Sequence, residues 1–316
     1  MTKALHIIWN PSEGIDLGFF MIRYYSLMFV IAFALGWYIT KKIFDRENEP
    51  VDKLDSLFIW TVFSTLIGAR LGHVFFYDWP YYQEHLIEIL LPIRENPNET
   101  LFGIFPGYEF TGFTGLASHG AAIAIVISMY FFSKKIMKRP FLWVLDRIVI
   151  PVAIGAVLVR LGNFFNSEII GNKTDSAFGI RFLHDQFSKN EAVQLTQIDN
   201  PKQAYSAIIN DPKFADLLAQ VPAKHPTQLY EGFCYIFVFL ILFYAYWKTD
   251  AREKQGFLLG TFLILLFTVR FFVEFVKESQ GGFESSLGLL STGQWLSIPC
   301  VLIGIFLVLK AKKATA

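Results

Sequence analysis

Seven apolar runs in this chain are each long enough to cross about 30 Å of hydrocarbon as a helix rising about 1.5 Å per residue. They lie near Gly18–Thr40, Ser56–Tyr77, Gly112–Phe132, Phe141–Asn166, Thr227–Trp247, Gly256–Val276 and Thr292–Leu309. Backbone in hydrocarbon must satisfy its own hydrogen bonds, so runs of this length are expected to be helical. The pattern predicts an all-α polytopic membrane protein with about seven transmembrane helices. Composition agrees: 53% of the 316 residues are hydrophobic and only 17% are charged, against about 25% charged in a soluble domain. Between the second and third runs, Tyr81–Ile93 sets Leu86, Ile87, Ile89 and Leu90 beside Glu84 and Glu88, as a short interfacial helix would.

Orientation follows from Lys and Arg in the short loops. One side carries Lys41, Lys42, Arg46, Lys53, Lys134, Lys135, Lys138, Arg139, Lys248, Arg252, Lys254, Lys310, Lys312 and Lys313; the other has only Lys3, Arg94 and Lys277 in its short segments. The N-terminus is therefore expected outside and the C-terminus in the cytoplasm. Residues 168–224 form the one sizeable polar stretch, expected outside as a small head between the fourth and fifth helices. Asn200-Pro201, Asp211-Pro212 and Gly171-Asn172 mark turns in it, and Thr196–Ala219 has helical patterning. The opening residues lack a basic segment leading into a short apolar core and a cleavage site, so they read as a mature start.

Other signals exclude classes. Cys234 and Cys300 both sit in apolar runs, and His6, His73, His85, His119, His184 and His225 show neither HxxxH nor HExxH spacing, so no metal centre is expected. The formal net charge is +1, and no nucleic-acid partner is expected.

The stretch Val159–Gly171, VRLGNFFNSEIIG, holds the residues that fit lipid worst. Arg160, Asn163 and Ser167 fall on one helical face at spacings of three and four, with Asn166 and Glu168 beside them. Polar groups inside a span are costly and face a cavity or a partner; the plain alternative is an arginine snorkelling to the interface. Topology adds Tyr24 and Tyr25 on the first helix, Arg70, His73 and Tyr77 on the second, and His119 on the third. His225, Thr227, Gln228, Tyr230 and Glu231 open the fifth helix, and Arg270 and Glu274 lie one turn apart on the sixth. All of these belong to the outer half. Asp146 and Arg147, at the inner end of the fourth helix, read as a structural pair. Thr227 after Pro226 reads as a helix N-cap, Arg270–Glu274 is equally readable as an ordinary helix pair, and a lone buried histidine such as His119 is often only hydrogen-bonded. Taken together, the cluster describes an outward-facing cationic pocket suited to a phosphate beside a proton-transfer step.

These motifs resemble those of the prolipoprotein diacylglyceryl transferases, bacterial inner-membrane enzymes. Arg160–Gly171 resembles the family signature R-x-G-N-F-x-N-x-E-x-x-G. The Ser118-His119-Gly120 run resembles its His-Gly motif, and Gly68–Asp78, His225–Glu231, Arg270–Phe275 and Tyr24–Met28 match further blocks in order. The chain departs at Val159, where the family has Gly, at Ala121 in the family's His-Gly-Gly, and at Leu266, where a tyrosine is usual. The resemblance implies an enzyme of the bacterial inner membrane working at the outer leaflet, with no cofactor. It implies transfer of the diacylglyceryl group of phosphatidylglycerol to the lipobox cysteine of a preprolipoprotein, releasing sn-glycerol 1-phosphate. Arg160 and Arg270 would hold the phosphate and His119 would take the thiol proton. Tyr25, Asn163 and Glu168 would position substrate and Glu274 would orient Arg270. Arg70, Asn166, Gly171, Tyr230 and Glu231 would complete the substrate contacts. Two rival classes remain at this point: a membrane-bound acyltransferase using His119 as base, and a lipid or anion transporter.

Overall fold

The computed structural model describes residues 6–18, 21–111, 115, 117–278 and 290–311. Lys3, Lys312, Lys313 and the expected start of the third helix at Gly112 lie outside the described residues. Among the described residues, seven helices have the length and composition to cross a membrane. They are α1 (Tyr24–Glu47), α2 (Val51–Phe76), α3 (Ser118–Phe132, prolonged by a π turn, Ser133–Met137), α4 (Phe141–Phe165), α5 (Thr227–Lys248), α6 (Phe257–Val273) and α7 (Thr292–Lys310). Their exposed faces are apolar, with Phe63 and Phe76 on α2, Ile123 and Ile127 on α3, and Phe237 and Leu240 on α5 turned outward. Helices apolar even where they are exposed belong in lipid. The first helix outlasts its apolar run, which ends near Thr40, by two turns of charged sequence to Glu47.

The helices are not the whole of the fold. Among the described residues, seven short strands form three small sheets: β1 (Ile7–Trp9), β2 (Gly14–Asp16), β3 (Met21–Arg23), β4 (Ile93–Leu101), β5 (Phe105–Phe110), β6 (Ile180–Phe182) and β7 (Ala223–Lys224). The chain divides into two compact units, residues 41–145 and residues 1–40 with 146–316.

In the 41–145 unit, α2 and α3 touch backbone to backbone. Gly68 and Gly72, four residues apart on α2, face Gly120 on α3; a Cβ at Gly72 would fall 2.6 Å from the Gly120 Cα. The N–H of Ala117 donates to the Ala69 carbonyl at 2.9 Å. This is the small-residue contact that lets membrane helices close up where apolar side chains give no advantage over lipid. The single interfacial helix expected over Tyr81–Ile93 is replaced by a helical turn, Trp79–Tyr82, and a 3₁₀ turn, Leu86–Ile89. Pro92 follows and keeps Leu91 from helical backbone, and the chain then enters the antiparallel β4–β5 hairpin. Pro97, which cannot donate to a ladder, sits where the register shifts between Glu95 and Thr100.

In the other unit, Asp146 accepts from the backbone N–H of Gly256 at 2.7 Å and of Leu259 at 2.8 Å, satisfying orphan donors at the start of α6. Its neighbour Arg147 donates to the Arg252 carbonyl at 3.1 Å. Both residues therefore fasten the turn before α6. The 168–224 segment has its own core of Leu183, Phe187, Ala192, Ala204, Tyr205, Ile208 and Val221. Helices Lys189–Thr196 and Pro201–Asn210 wrap it, the first capped by the Ser188–Glu191 box and the second by Asn200. The helical patterning expected across Thr196–Ala219 is broken at Asn200-Pro201 and Asp211-Pro212, both turn signals. The segment's sheet borrows its first strand from the start of the chain: β1 pairs parallel with β6, and β6 antiparallel with β7. Trp9 then stacks on Phe164 at 4.1 Å between ring centroids, and its indole N–H donates to the Phe164 carbonyl at 2.9 Å.

Candidate active site

The last turns of α4 and the residues after it build the centre of the site. Arg160 and Asn163 are one turn apart, and the Arg160 guanidinium donates to the Asn163 Oδ1 at 3.2 Å. The Asn163 amide donates onward to the Glu168 carboxylate at 3.4 Å, and Asn166 reaches the other oxygen of Glu168 at 3.2 Å. Ser167 does not continue the helical face. It and Ile169 take positive φ, 54° and 58°, a region costly for any residue with a Cβ and more so for a branched one. The bend puts Glu168 back over Asn163, whose carbonyl accepts the Glu168 N–H at 2.9 Å.

Neighbouring elements hold this bend from both sides. Thr227 does not cap α5; its hydroxyl donates instead to the Ile169 carbonyl at 2.7 Å, and the Gln228 amide donates to the Glu168 carbonyl. Gly171 donates to the His225 carbonyl at 2.9 Å, Asn172 to the Val276 carbonyl at 2.8 Å, and Glu278 to the Ile170 carbonyl at 3.1 Å. Any side chain at Gly171 would meet the Val276 and His225 main chain, with a Cβ 2.8 Å from the His225 carbonyl oxygen. Gly171 is therefore a glycine of close backbone approach.

The charged residues gather behind the bend. Arg160 forms an ion pair through its Nε with Glu231 on α5, whose side chain is 1% exposed. The Tyr235 hydroxyl lies 3.4 Å from the same carboxylate, and the other Glu231 oxygen is buried without a hydrogen-bond partner among the described residues. On α6, Arg270 has a buried Nε that no hydrogen-bond acceptor reaches among the described residues. The expected orienting partner, Glu274, is engaged elsewhere: it pairs with Lys277 at 3.3 Å and backs against Gly293. Lys277 is itself only 5% exposed. Burial pulls its ammonium below the ordinary range, the Arg270 and Arg160 charges add to that, and Glu274 and Glu231 oppose it. Three cationic side chains thus share one electrostatic neighbourhood with two buried carboxylates. The balance and the vacant Arg270 donor suit a bound anion.

Tyr25 packs its ring on Gly162, where a Cβ would fall 2.8 Å from its Cδ2, with its hydroxyl near Asn163. Tyr230 turns to His225, with its hydroxyl 3.2 Å from Nδ1. Tyr25, Arg160, Asn163, Asn166, Glu168 and Glu231 thus form one cluster, and the Lys277–Glu274 pair lies within the electrostatic reach of Arg270, Arg160 and Glu231. His119 and Arg70 belong to the 41–145 unit. His119 stands in the first turn of α3 with its side chain exposed, next to the Gly120 contact. Arg70 is buried, donating to the carbonyls of Glu88 and Ile89 and lying 4.7 Å over the Tyr82 ring. Lys277 and Tyr235 were not anticipated from the sequence. Tyr235 is four residues after Glu231, a spacing that shares its face; Lys277, at a span end, reads as a topology charge.

A family model described as prolipoprotein diacylglyceryl transferase matches residues 13–310. Among curated relatives, the phosphatidylglycerol–prolipoprotein diacylglyceryl transferase of Chloroherpeton thalassium is 37% identical over 99% of this chain and 97% of its own length. That of Bacteroides fragilis is 36% identical over 96% and 94%, and that of Tolumonas auensis 34% identical over 98% and 99%.

Proposed function

The chain belongs to the prolipoprotein diacylglyceryl transferase family, and we propose that it moves the diacylglyceryl group of phosphatidylglycerol onto the lipobox cysteine of preprolipoproteins. The thiolate sulfur attacks the glyceryl carbon that carries the phosphate ester. The carbon–oxygen bond breaks, a thioether forms, and sn-glycerol 1-phosphate leaves with the bonding electrons. The protein is a multi-pass membrane protein, and the proposal places it in the bacterial inner membrane with its site open to the outer leaflet, where the lipobox cysteine emerges.

Arg270 is the observation that carries this reading. A buried guanidinium Nε without an acceptor among the described residues, in the charge neighbourhood of Arg160 and Lys277, fits a phosphate that gains charge as it departs. Arg160, held by Glu231 and Asn163, supplies the second guanidinium. Tyr25, Asn163 and Glu168 position the lipid headgroup. His119 takes the thiol proton, since a free thiol with pKa about 8.5 is mostly protonated at neutral pH.

The test is incubation of purified protein with phosphatidylglycerol labelled in its headgroup glycerol and a lipobox peptide, read by mass spectrometry. The label should leave as glycerol phosphate, and the peptide should gain both acyl chains on one thioether-linked glyceryl unit. An acyltransferase would leave a labelled lyso-lipid and add one fatty acid, and that product in stoichiometric yield would overturn the proposal.

A further inference from the structure

At the root of the β4–β5 hairpin, His85, Glu88 and Glu95 bring one imidazole and two carboxylates together, with their ligand atoms all within 4.8 Å of one another. The sequence gives no sign of this group, because Glu95 arrives only where the chain turns back between Leu86–Ile89 and β4. The three residues differ in how firmly they are held. Glu88 is 3% exposed, and its two oxygens accept from the Glu95 N–H at 2.7 Å and the Tyr81 hydroxyl at 2.8 Å. Each oxygen keeps a second lone pair for another partner. His85 stacks on Tyr81 with ring centroids 4.2 Å apart, and its Nδ1 lies 3.0 Å from the Tyr81 carbonyl oxygen.

That last contact decides the ring's chemistry. A carbonyl oxygen can only accept, so Nδ1 is the donor there and Nε2 is the nitrogen turned toward Glu95. Histidines that bind metal are oriented the same way, with the other ring nitrogen donating to a backbone carbonyl. Nε2 and the nearer Glu95 oxygen are 3.4 Å apart. This is long for a charge-assisted hydrogen bond, which measures about 2.7–2.9 Å. It equals the edge of a tetrahedron around a zinc ion bonded to nitrogen and oxygen at about 2.0–2.2 Å, roughly 3.4 Å. Glu95 is 56% exposed, so its side-chain torsions can close the remaining distance to Glu88, and solvent can supply a fourth ligand. Arg94 lies over the Tyr81 ring at 5.8 Å and its charge reaches Glu88, leaving two carboxylates against one guanidinium.

We propose that His85, Glu88 and Glu95 form a structural divalent-cation site of the zinc class, which clips the base of the β4–β5 hairpin to the turn that Arg70 anchors. The imidazole selects zinc over magnesium or calcium, and the ion bridges β4 to the 3₁₀ turn across seven residues of chain.

The experiment uses the full-length protein in detergent, stripped with chelator and titrated with zinc chloride by calorimetry, with parallel limited proteolysis of the 93–110 hairpin. Wild type should bind zinc with a component that His85→Ala and Glu95→Gln each weaken by about 100-fold or more, since even outer-shell losses cost about 10–100-fold. Zinc should slow hairpin cleavage in wild type and leave it unchanged in the doubly substituted protein. Both substituted side chains reach solvent, and Glu88, which supports the turn, is left intact. Zinc binding and protection identical in wild type and the double variant would overturn the proposal, as would no zinc binding by wild type. Equal protection by magnesium would overturn it too, because the imidazole would then contribute nothing.

Discussion

Arg160 and Arg270 carry the same charge but stand differently in the local hydrogen-bond network. Removing Arg160 leaves Glu231 buried without its cation, which costs about 3–5 kcal/mol. Among the described residues, removing Arg270 strands no paired carboxylate, since Glu274 is held by Lys277. Arg160→Ala should therefore lower both transfer and the thermal midpoint, and adding Glu231→Gln should recover part of the midpoint but none of the transfer. Arg270→Ala should cut transfer by about 10²-fold or more with the midpoint little changed, and Lys should substitute poorly for a planar, multi-donor guanidinium. Equal destabilisation by both alanine variants would show that Arg270 is a structural residue. Much of this centre was readable in advance, because Arg, Asn and Glu inside an apolar run announce a partner. Lys277 was not, since a lysine at a span end is ordinary and only its burial sets it apart. Gly171 was readable as a motif position, but its cause lies in main chain from His225 and Val276, far away in sequence.

Apolar run length finds a membrane helix because the bilayer fixes how much apolar sequence is needed; it finds little else. Hence α4 to α7 were placed to within a few residues, while the charged end of α1 and the β4–β5 hairpin were not. The hairpin sequence, IRENPNETLFGIFPGYEF, contains two prolines and no alternation, and its pairing depends on a register shift that no local pattern encodes. The α2–α3 contact shows in its residue types: Gly120 and Ala121 beside His119 allow close backbone approach, and Gly68 and Gly72 are the other side. Gly120→Val should force these helices apart, at a cost of about 1–3 kcal/mol. The thermal midpoint would report the loss, and an unchanged midpoint would mean that α2 and α3 can separate freely there.

For the molecule as a whole, the uneven distribution of Lys and Arg between the loops argues that residues 168–224 face outward. Cysteine placed at Asn190 should react with an impermeant reagent in intact cells, and cysteine at Lys138 should not; the reverse pattern would invert the topology. The 168–224 segment also carries a pH signature. Burial alone would lower the Lys224 ammonium, but its bonds to Asp185 at 2.7 Å and Glu278 at 3.1 Å raise it above its ordinary value near 10.5. A raised folded-state value contributes stability that is complete below about pH 10.5 and is lost as pH climbs through the higher folded value. Wild type should accordingly lose its advantage over Lys224→Met in that alkaline window, as measured by thermal unfolding. A constant difference across it would mean that the ion pairs contribute nothing.

The parallel pairing of Ile7–Trp9 with Ile180–Phe182 sets an order of events for a chain made from its N-terminus. The first strand is synthesised about 170 residues before its partner, and β7, which closes the sheet, follows some 40 residues later still. Before β6 exists, four of the seven helices are already made, and until the fourth is complete Trp9 has neither Phe164 nor a neighbouring strand against it. The sheet works as a late latch: it can shut only on a chain whose fourth helix has already been threaded, so an insertion error upstream leaves the opening strand without a place to dock.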